Sequence, residues 1–181
     1  GSCGALPGVG CRAGQRLMIV LVGVPGAGKS TVGPALAQRL GRPFTDIDDV
    51  IVARAGKPIS EIFTDDGEPA FRALEELAIA DVLGDSDGVV ALGGGALGSD
   101  ATRARLAGHT VVWLQADLAS AVARVGLNRN RPLLLGNVRG QLADLMARRE
   151  PIYRDAATVT VDTSNLAVAE VVERILAAVA A

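Results

Sequence analysis

The pattern that most restricts the fold of this chain is Gly23-Val24-Pro25-Gly26-Ala27-Gly28-Lys29-Ser30, which matches G-x-x-x-x-G-K-[ST]. An apolar run at residues 17–22 precedes this phosphate loop, and residues 31–40 follow it with helical spacing. A strand, a glycine-rich loop and a helix in this order predict that backbone N–H groups bind a phosphate. We expect Lys29 to add positive charge and the Ser30 hydroxyl to ligate a magnesium ion.

Length and charge narrow the class of protein. The chain has 181 residues, 49% of them hydrophobic, and a formal net charge of −2. That charge gives no general attraction to nucleic acid or to a membrane surface, and no apolar run reaches the roughly 18 residues of a membrane span. The sequence also shows no signal peptide. We expect a cytoplasmic monomer whose partner is neither nucleic acid nor a membrane.

Both cysteines, Cys3 and Cys11, precede the first predicted strand. A disulfide framework would distribute cysteines through the fold, so we expect two free thiols in a reducing compartment. Residues 1–16 are rich in small residues and lack periodicity. We interpret them as a disordered N-terminal extension or as a remnant of cloning. Residues 17–181 are then expected to form a single domain.

Apolar runs and helical spacing alternate along the rest of the chain. Predicted strands are residues 17–22, 43–45, 89–92, 110–114 and 158–161. Predicted helices are residues 31–40, 50–55, 69–83, 99–107, 117–125, 141–149 and 166–179, with a short capped helix near Ser60. In the helix at 69–83, Phe71, Leu74, Leu77, Ala78 and Val82 are expected to share the buried face. This alternation predicts an α/β fold in which helices cover both faces of a five-stranded parallel sheet.

Ligands of such sheets collect at the carboxyl ends of the strands. After the second predicted strand come Asp46 and Asp48, which would point to the same side if the strand continued through them. One carboxylate is expected to hold the magnesium shell and the other to orient an acceptor hydroxyl, while Asp49 is expected to cap the next helix. The turn at residues 162–165 should lie at the same edge of the sheet.

Gly93, Gly94 and Gly95 directly follow the third predicted strand and form a triple-glycine loop. Glycines there let a backbone approach a ligand closely and leave N–H groups uncovered. Arg72 has Glu75 and Glu76 at i+3 and i+4, and Arg149 ends a predicted helix that Pro151 stops. Each arginine alone is typical of a surface ion pair or helix terminus, but both would suit a carboxylate if they face the site.

Three arginines, Arg124, Arg129 and Arg131, cluster around a polar segment. We interpret residues 126–138 as a mobile lid that brings positive charge over the phosphates. A solvated charged loop is the competing interpretation. The single histidine, His109, lies just before a predicted strand and is expected to be a surface turn residue.

Together these residues resemble shikimate kinase, a small P-loop kinase of the nucleoside-monophosphate-kinase fold group. The resemblance covers the chain from about Leu17 to its end. The phosphate loop alone would also fit adenylate kinase. The distinguishing motifs are Asp46-x-Asp48, Phe71-Arg72-x-x-Glu75, Gly93-Gly94-Gly95, Arg129-x-Arg131-Pro132-Leu133-Leu134 and Arg149-x-Pro151-x-Tyr153-Arg154.

This resemblance implies the conversion of ATP and shikimate to ADP and 3-phosphoshikimate, a step towards chorismate and the aromatic amino acids. Asp48 would bind the acceptor hydroxyls and act on the attacking one, and Glu75 would steady Arg72. Lys29 and Arg131 would stabilise the transferred charge. Implied acceptor-binding residues are Asp48, Arg72, Gly93, Gly94, Gly95 and Arg149.

The same resemblance implies how ATP and Mg²⁺ are held. Ser30 would ligate magnesium with Asp46 close by through water, and Arg124 would stack on the adenine. Implied nucleotide-binding residues are Pro25, Gly26, Ala27, Gly28, Lys29, Ser30, Thr31, Arg124 and Arg131.

Two features depart from the family pattern. Pro34 falls inside the helix after the phosphate loop, which predicts a kink or a later helix start. The turn at residues 162–165 lacks a proline that some members carry. Alternative functions are another small-molecule kinase of the gluconate or adenylate kinase type, and a nucleotide-binding module without catalysis.

Overall fold

The computed structural model describes residues 18–85, 87–126 and 137–180. Within these ranges lie five strands, β1 (Ile19–Val22), β2 (Phe44–Asp46), β3 (Val89–Ala91), β4 (Thr110–Gln115) and β5 (Val159–Asp162). They pair in parallel in the order β2-β3-β1-β4-β5. The predicted five-stranded parallel sheet is therefore confirmed.

The helices alternate with the strands as the sequence predicts, although several boundaries differ. They are α1 (Lys29–Leu40), α2 (Ile47–Ala55), α3 (Ile59–Asp65), α4 (Glu68–Asp85), α5 (Asp100–Arg105), α6 (Leu118–Gly126), α7 (Val138–Ala156) and α8 (Val168–Ala180), with a 3₁₀ turn at Ala96–Gly98. Ser99 and Asp117 cap α5 and α6, since they accept hydrogen bonds from the N–H groups of Thr102 and Ser120. None of the helices in the described ranges combines the length and apolarity needed to cross a membrane.

The direction in which the chain crosses the sheet separates the helices into two layers. The β1–α1–β2 connection runs towards one edge, whereas the connections from β3 to β4 and from β4 to β5 run towards the other. Because parallel crossovers are right-handed, helices of opposite direction fall on opposite faces. Accordingly α1 contacts α8 on one face and α6 contacts α7 on the other, which gives the three layers of a P-loop kinase fold.

The core lies around the central strands. All residues of β1 and β3 are buried, as are Val111, Val112, Trp113 and Leu114 of β4. Burying one such side chain contributes roughly 1.5–3 kcal/mol, so these strands account for a large part of the stability of the core. Both glycine-rich loops emerge from the carboxyl ends of these strands.

The start of α2 differs from the prediction. Asp46 is both the last residue of β2 and the N-cap of α2, and its Oδ1 accepts a hydrogen bond of 2.9 Å from the Asp48 N–H. Asp49 is therefore not the cap, and Asp48 lies in the first helical turn instead of on a strand. A carboxylate that accepts an N–H two residues on ends the strand early, and the cap contributes about 1 kcal/mol.

Two prolines that were expected to disturb or end helices lie inside them. Pro34 is within α1, so the predicted later helix start is wrong, and Pro151 is within α7, so the predicted end of that helix is also wrong. Both prolines face solvent. Water can therefore satisfy the carbonyl that loses its helical partner, while buried residues on the opposite face hold the helix together.

Two details of α4 and α3 were also predicted wrongly. Leu77 is 61% exposed, because the buried stripe of α4 runs through Phe71, Glu75, Ala78 and Ile79. Its i, i+4, i+7 and i+8 spacing is that of one helix face, and a carboxylate occupies one of its positions. Ser60 does not cap α3, whose N-cap residue is Pro58 without a side-chain hydrogen bond.

Candidate active site

The phosphate loop connects β1 to α1 and begins the helix with a left-handed glycine. Gly28 has φ +100° as the N-cap of α1, and Gly26 has φ +82°. Lys29 is the first helical residue and only 7% exposed. Its Nζ donates hydrogen bonds to the carbonyl oxygens of Gly23 at 2.5 Å and Val24 at 3.1 Å. The ammonium group is thus folded across the loop, in position to meet an anion bound by the loop amides.

Arg124, from α6, holds the outer side of this loop. Its Nη1 donates to the carbonyl oxygens of Gly26 and Ala27, each at 3.1 Å, and its Nη2 donates to the Thr163 carbonyl at 3.2 Å. The Thr163 side chain is buried and lies within hydrogen-bond distance of the Ala27 carbonyl. The turn at residues 162–165 therefore reaches the phosphate loop, as its place at the sheet edge predicted.

Ser30 and Asp46 meet as the sequence suggested. Ser30 Oγ donates to Asp46 Oδ2 at 3.2 Å. Burial, reinforced by the charge of Asp48, raises the pKa of Asp46. A cation would offset both effects. The described residues contain no group of three or more His, Cys, Asp or Glu side chains arranged for a metal. One hydroxyl and one carboxylate suit Mg²⁺, which keeps several waters and shares substrate phosphate oxygens.

Arg72 on α4 is held by a buried partner. Its Nη1 donates to Glu75 Oε1 at 2.8 Å, and Glu75 is only 3% exposed. Glu68 supplies a second, exposed contact at 3.4 Å, whereas Glu76 does not hold Arg72 and instead accepts from Ser99 Oγ. Burial raises the pKa of Glu75, and the Arg72 charge opposes that shift. This is more than the surface ion pair that α4 alone would suggest.

The triple-glycine loop has no room for side chains because each glycine faces a different functional group. A Cβ on Gly93 would lie 2.6 Å from Glu75 Oε2 and 3.5 Å from Asp48 Oδ1. On Gly94 it would lie 2.8 Å from Arg149 Nη1, and on Gly95 2.5 Å from Arg72 Nη2. The loop is therefore the surface against which both arginines and two carboxylates are packed.

Both arginines and Glu75 line an open cavity of about 380 Å³, whereas Asp48 and Gly93 are not part of its lining. Its lining includes Arg72, Glu75, Gly94, Gly95 and Arg149. The cavity is of a size to take a small polar ligand. With two guanidinium groups at one side, it is suited to a carboxylate.

Sequence reasoning assigned no role to Tyr153. This residue is 2% exposed, and its hydroxyl donates to the Gly94 carbonyl oxygen. Burial raises its pKa to about 12, against a smaller opposing effect of Arg149. The signal available in the sequence was its position four residues after Arg149, which places both on one face of a helix.

His109, which was expected to be a surface turn residue, is not part of this group. His109 lies at the amino end of β4, where its Nδ1 accepts a hydrogen bond of 3.1 Å from the Met18 N–H. The predicted lid at residues 126–138, with Arg129 and Arg131, falls mainly outside the described residues, as does the extension at residues 1–16 with both cysteines.

Comparison with known proteins agrees with this arrangement. The family model of shikimate kinase matches residues 25–180. A shikimate kinase from Thermobifida fusca is 56% identical over 151 residues, which are 83% of this chain and 88% of that relative. One from Saccharopolyspora erythraea is 51% identical over 163 residues, covering 90% of this chain and 93% of the relative.

A solved structure extends the likeness to the fold. The shikimate kinase from Acinetobacter baumannii in complex with shikimate aligns with a TM-score of 0.88 and 36% identity, over 92% of this chain and 94% of that one. Sequence, fold and the placement of the loops agree, and the chain belongs to the shikimate kinase family.

Proposed function

We propose that this chain transfers the terminal phosphoryl group of ATP to the 3-hydroxyl of shikimate, giving 3-phosphoshikimate and ADP. The observation that carries the proposal is the triple-glycine loop, which packs against Arg72, Arg149 and Asp48 beside the phosphate loop. Two cations that line one cavity, together with the Asp48 carboxylate at Gly93 of the adjoining loop, fit a polyhydroxylated carboxylic acid. The Acinetobacter baumannii relative, which is described in complex with shikimate, supports the same acceptor.

The acceptor is held at its carboxylate end by planar guanidinium groups. Arg72 is fixed by Glu75, and Arg149 approaches Gly94. Each guanidinium can donate two parallel hydrogen bonds to a carboxylate, which fixes orientation as well as charge. The hydroxyl end of the acceptor then lies towards Asp48.

Asp48 orients the attacking hydroxyl and accepts its proton. Its carboxylate faces the triple-glycine loop, and it lies in the first turn of α2 beside Asp46. Phosphoryl transfer depends mainly on positioning and on charge stabilisation. A single well-placed carboxylate is therefore sufficient as the base.

The phosphate loop holds the donor. Its N–H groups surround the phosphates, and Lys29 moves its ammonium from the loop carbonyls to the transferred charge. Ser30 and Asp46 would hold Mg²⁺, which neutralises phosphate charge when bound. Arg131 supplies a second cation and Arg124 stacks on the adenine. We place the enzyme in the cytoplasm as a monomer, with the lid at residues 126–138 closing over both substrates.

The substrate assignment is tested by ADP release measured separately with shikimate, gluconate and AMP as acceptors. We expect turnover with shikimate and none above background with the other two. Turnover with AMP or gluconate alone would favour another kinase type. ATP binding without turnover on any acceptor would favour a nucleotide-binding module, although Lys29, Asp48 and Arg131 are all present in the sequence.

Replacing Asp48 with Asn tests the catalytic assignment. We expect kcat to fall by about 10²-fold or more, because the amide cannot accept the hydroxyl proton, while ATP affinity stays within about twofold. Asp49→Asn is the matched control, since it removes the same charge from an exposed neighbour in the same helical turn. Near-normal turnover of Asp48→Asn would remove Asp48 from this role.

A further inference from the structure

We propose that Tyr153 is a positioning residue for the acceptor, fixing the peptide between Gly94 and Gly95 so that its N–H and Arg149 meet the acceptor carboxylate together. The inference rests on the proposed shikimate kinase function. It adds to that function a residue that touches neither the reacting atoms nor the acceptor.

The position of the Tyr153 ring is set by the core and not by the loop. The side chain is 2% exposed, and its ring lies 5.9 Å from the Trp113 ring on β4, measured between centroids. Trp113 itself is 6% exposed. A ring held against the central sheet gives its hydroxyl a fixed location beside the triple-glycine loop.

The hydroxyl donates to the Gly94 carbonyl oxygen, which determines how the following peptide is turned. In a trans peptide the carbonyl of Gly94 and the N–H of Gly95 point in opposite directions. Holding the carbonyl towards the core therefore turns the Gly95 N–H away from it. No protein acceptor within the described residues takes that N–H.

The same hydrogen bond also strengthens the donor. A carbonyl that accepts a hydrogen bond polarises its peptide, and the N–H across the bond becomes a better donor to an anion. The tyrosine can do this at any working pH, since burial raises its pKa to about 12 and keeps the hydroxyl protonated.

Arg149 is placed by the same contact. It lies one helical turn before Tyr153 on α7, and its Nη1 faces the Gly94 Cα closely enough that a Cβ there would be at 2.8 Å. A shift of the Gly94 peptide would therefore displace the guanidinium as well as the Gly95 N–H. Both groups serve the acceptor carboxylate, so Tyr153 should affect acceptor binding and leave nucleotide binding unchanged.

The test is Tyr153→Phe, which keeps the ring and its packing and removes only the hydroxyl. We expect the KM for shikimate to rise about tenfold, the value of one lost charge-assisted interaction, while kcat and the KM for ATP change by less than about twofold. An unchanged KM for shikimate, or equal rises in both KM values, would overturn the proposal. Wild-type protein without shikimate turnover would instead refute the proposed function.

Two further measurements separate positioning from packing. Ile175→Val trims a fully buried side chain on α8, which packs with α1 and β5 on the face of the sheet opposite α7, so it should lower the melting temperature and leave the KM for shikimate within about twofold. Shikimate methyl ester lacks the carboxylate charge, so Tyr153→Phe should weaken its binding in calorimetry much less than it weakens shikimate binding. Equal losses for acid and ester would show that Tyr153 does not act through the carboxylate.

Discussion

The two glycine-rich loops of this site need glycine for different reasons. The phosphate loop and the triple-glycine loop follow β1 and β3, which are neighbours paired in register from Ile19↔Val89 to Leu21↔Ala91. Gly26 and Gly28 of the phosphate loop have φ +82° and +100°. None of Gly93, Gly94 and Gly95 is among the positive-φ residues.

In the phosphate loop the left-handed backbone disfavours side chains even where there is room for one, as at Gly28, whereas in the triple-glycine loop, which has no positive φ, only the neighbouring side chains exclude them. A Cβ on Gly28 would meet nothing closer than 3.6 Å, but one on Gly95 would lie 2.5 Å from Arg72 Nη2. The first requirement is local and produces a recognisable sequence pattern. The second depends on α4 and α7, which come from distant parts of the chain.

The largest expected effect is on folding, in the phosphate loop. Gly26→Ala combines a left-handed φ with a Cβ 2.5 Å from the Ala121 carbonyl oxygen, and should lower the free energy of unfolding by about 3 kcal/mol or more. Gly28→Ala adds conformational strain with little overlap, and should cost about 1–2 kcal/mol. Urea denaturation measures the free energy of unfolding of both variants. Equal losses would show that the steric overlap at Gly26 adds nothing to the cost of the left-handed backbone conformation.

In the triple-glycine loop we expect a smaller effect on the free energy of unfolding and a specific effect on shikimate binding. Gly95→Ala should displace Arg72 and raise the KM for shikimate about tenfold or more, while the free energy of unfolding changes by less than about 1 kcal/mol, because the clash is with the end of a flexible side chain. Gly84→Ala is the matched control, since a Cβ there would meet nothing within 4 Å and the residue lies near the end of α4, outside the cavity lining. If both variants bind shikimate normally, glycine is not required at position 95 to leave room for the Arg72 guanidinium.

The smallest effect is expected at His109, far from both loops. It shows how a change that affects only the free energy of unfolding differs from one that affects substrate binding. Partial burial lowers the pKa of His109 below 6.5, and its Nδ1 must be unprotonated to accept the Met18 N–H. The unfolded chain then takes up the proton first, so this residue's contribution to stability is complete above pH 6.5 and is lost as the pH falls through 6.5 to the folded pKa.

The measurement compares wild type with His109→Gln, whose amide oxygen can still accept the hydrogen bond. The difference in free energy of unfolding between them should shrink as the pH is lowered from 7.5 to 5.0, while both KM values agree at each pH. A difference that does not vary with pH would contradict the assignment.

Much of the fold could be predicted because it depends on local sequence patterns. The strands are short apolar runs, and the phosphate loop lies between a strand and a helix, so the sheet and its ligand-binding edge follow from the sequence. Residues at the strand ends, including Asp46, Asp48 and the triple-glycine loop, were brought together as the parallel topology requires.

The errors arose where tertiary packing decides the outcome. The end of α7 was placed at Pro151, although burial of Leu142 and Tyr153 carries the helix past it. The buried face of α4 was misplaced because Glu75, a carboxylate, occupies a core position that hydropathy assigns to the surface. In both helices the buried residues pack against elements that are distant in sequence, so the local sequence pattern does not predict which residues are buried.

The contact between the two loops has a thermodynamic consequence. A Cβ on Gly94 would lie 3.2 Å from Pro25 Cδ and 3.6 Å from the Gly23 carbonyl oxygen, so the loop serving the acceptor lies directly against the loop serving the nucleotide. Any adjustment that one substrate imposes on its own loop is transmitted across this contact. Whatever factor results must be the same in both directions, so shikimate changes the affinity for ATP by the factor with which ATP changes the affinity for shikimate.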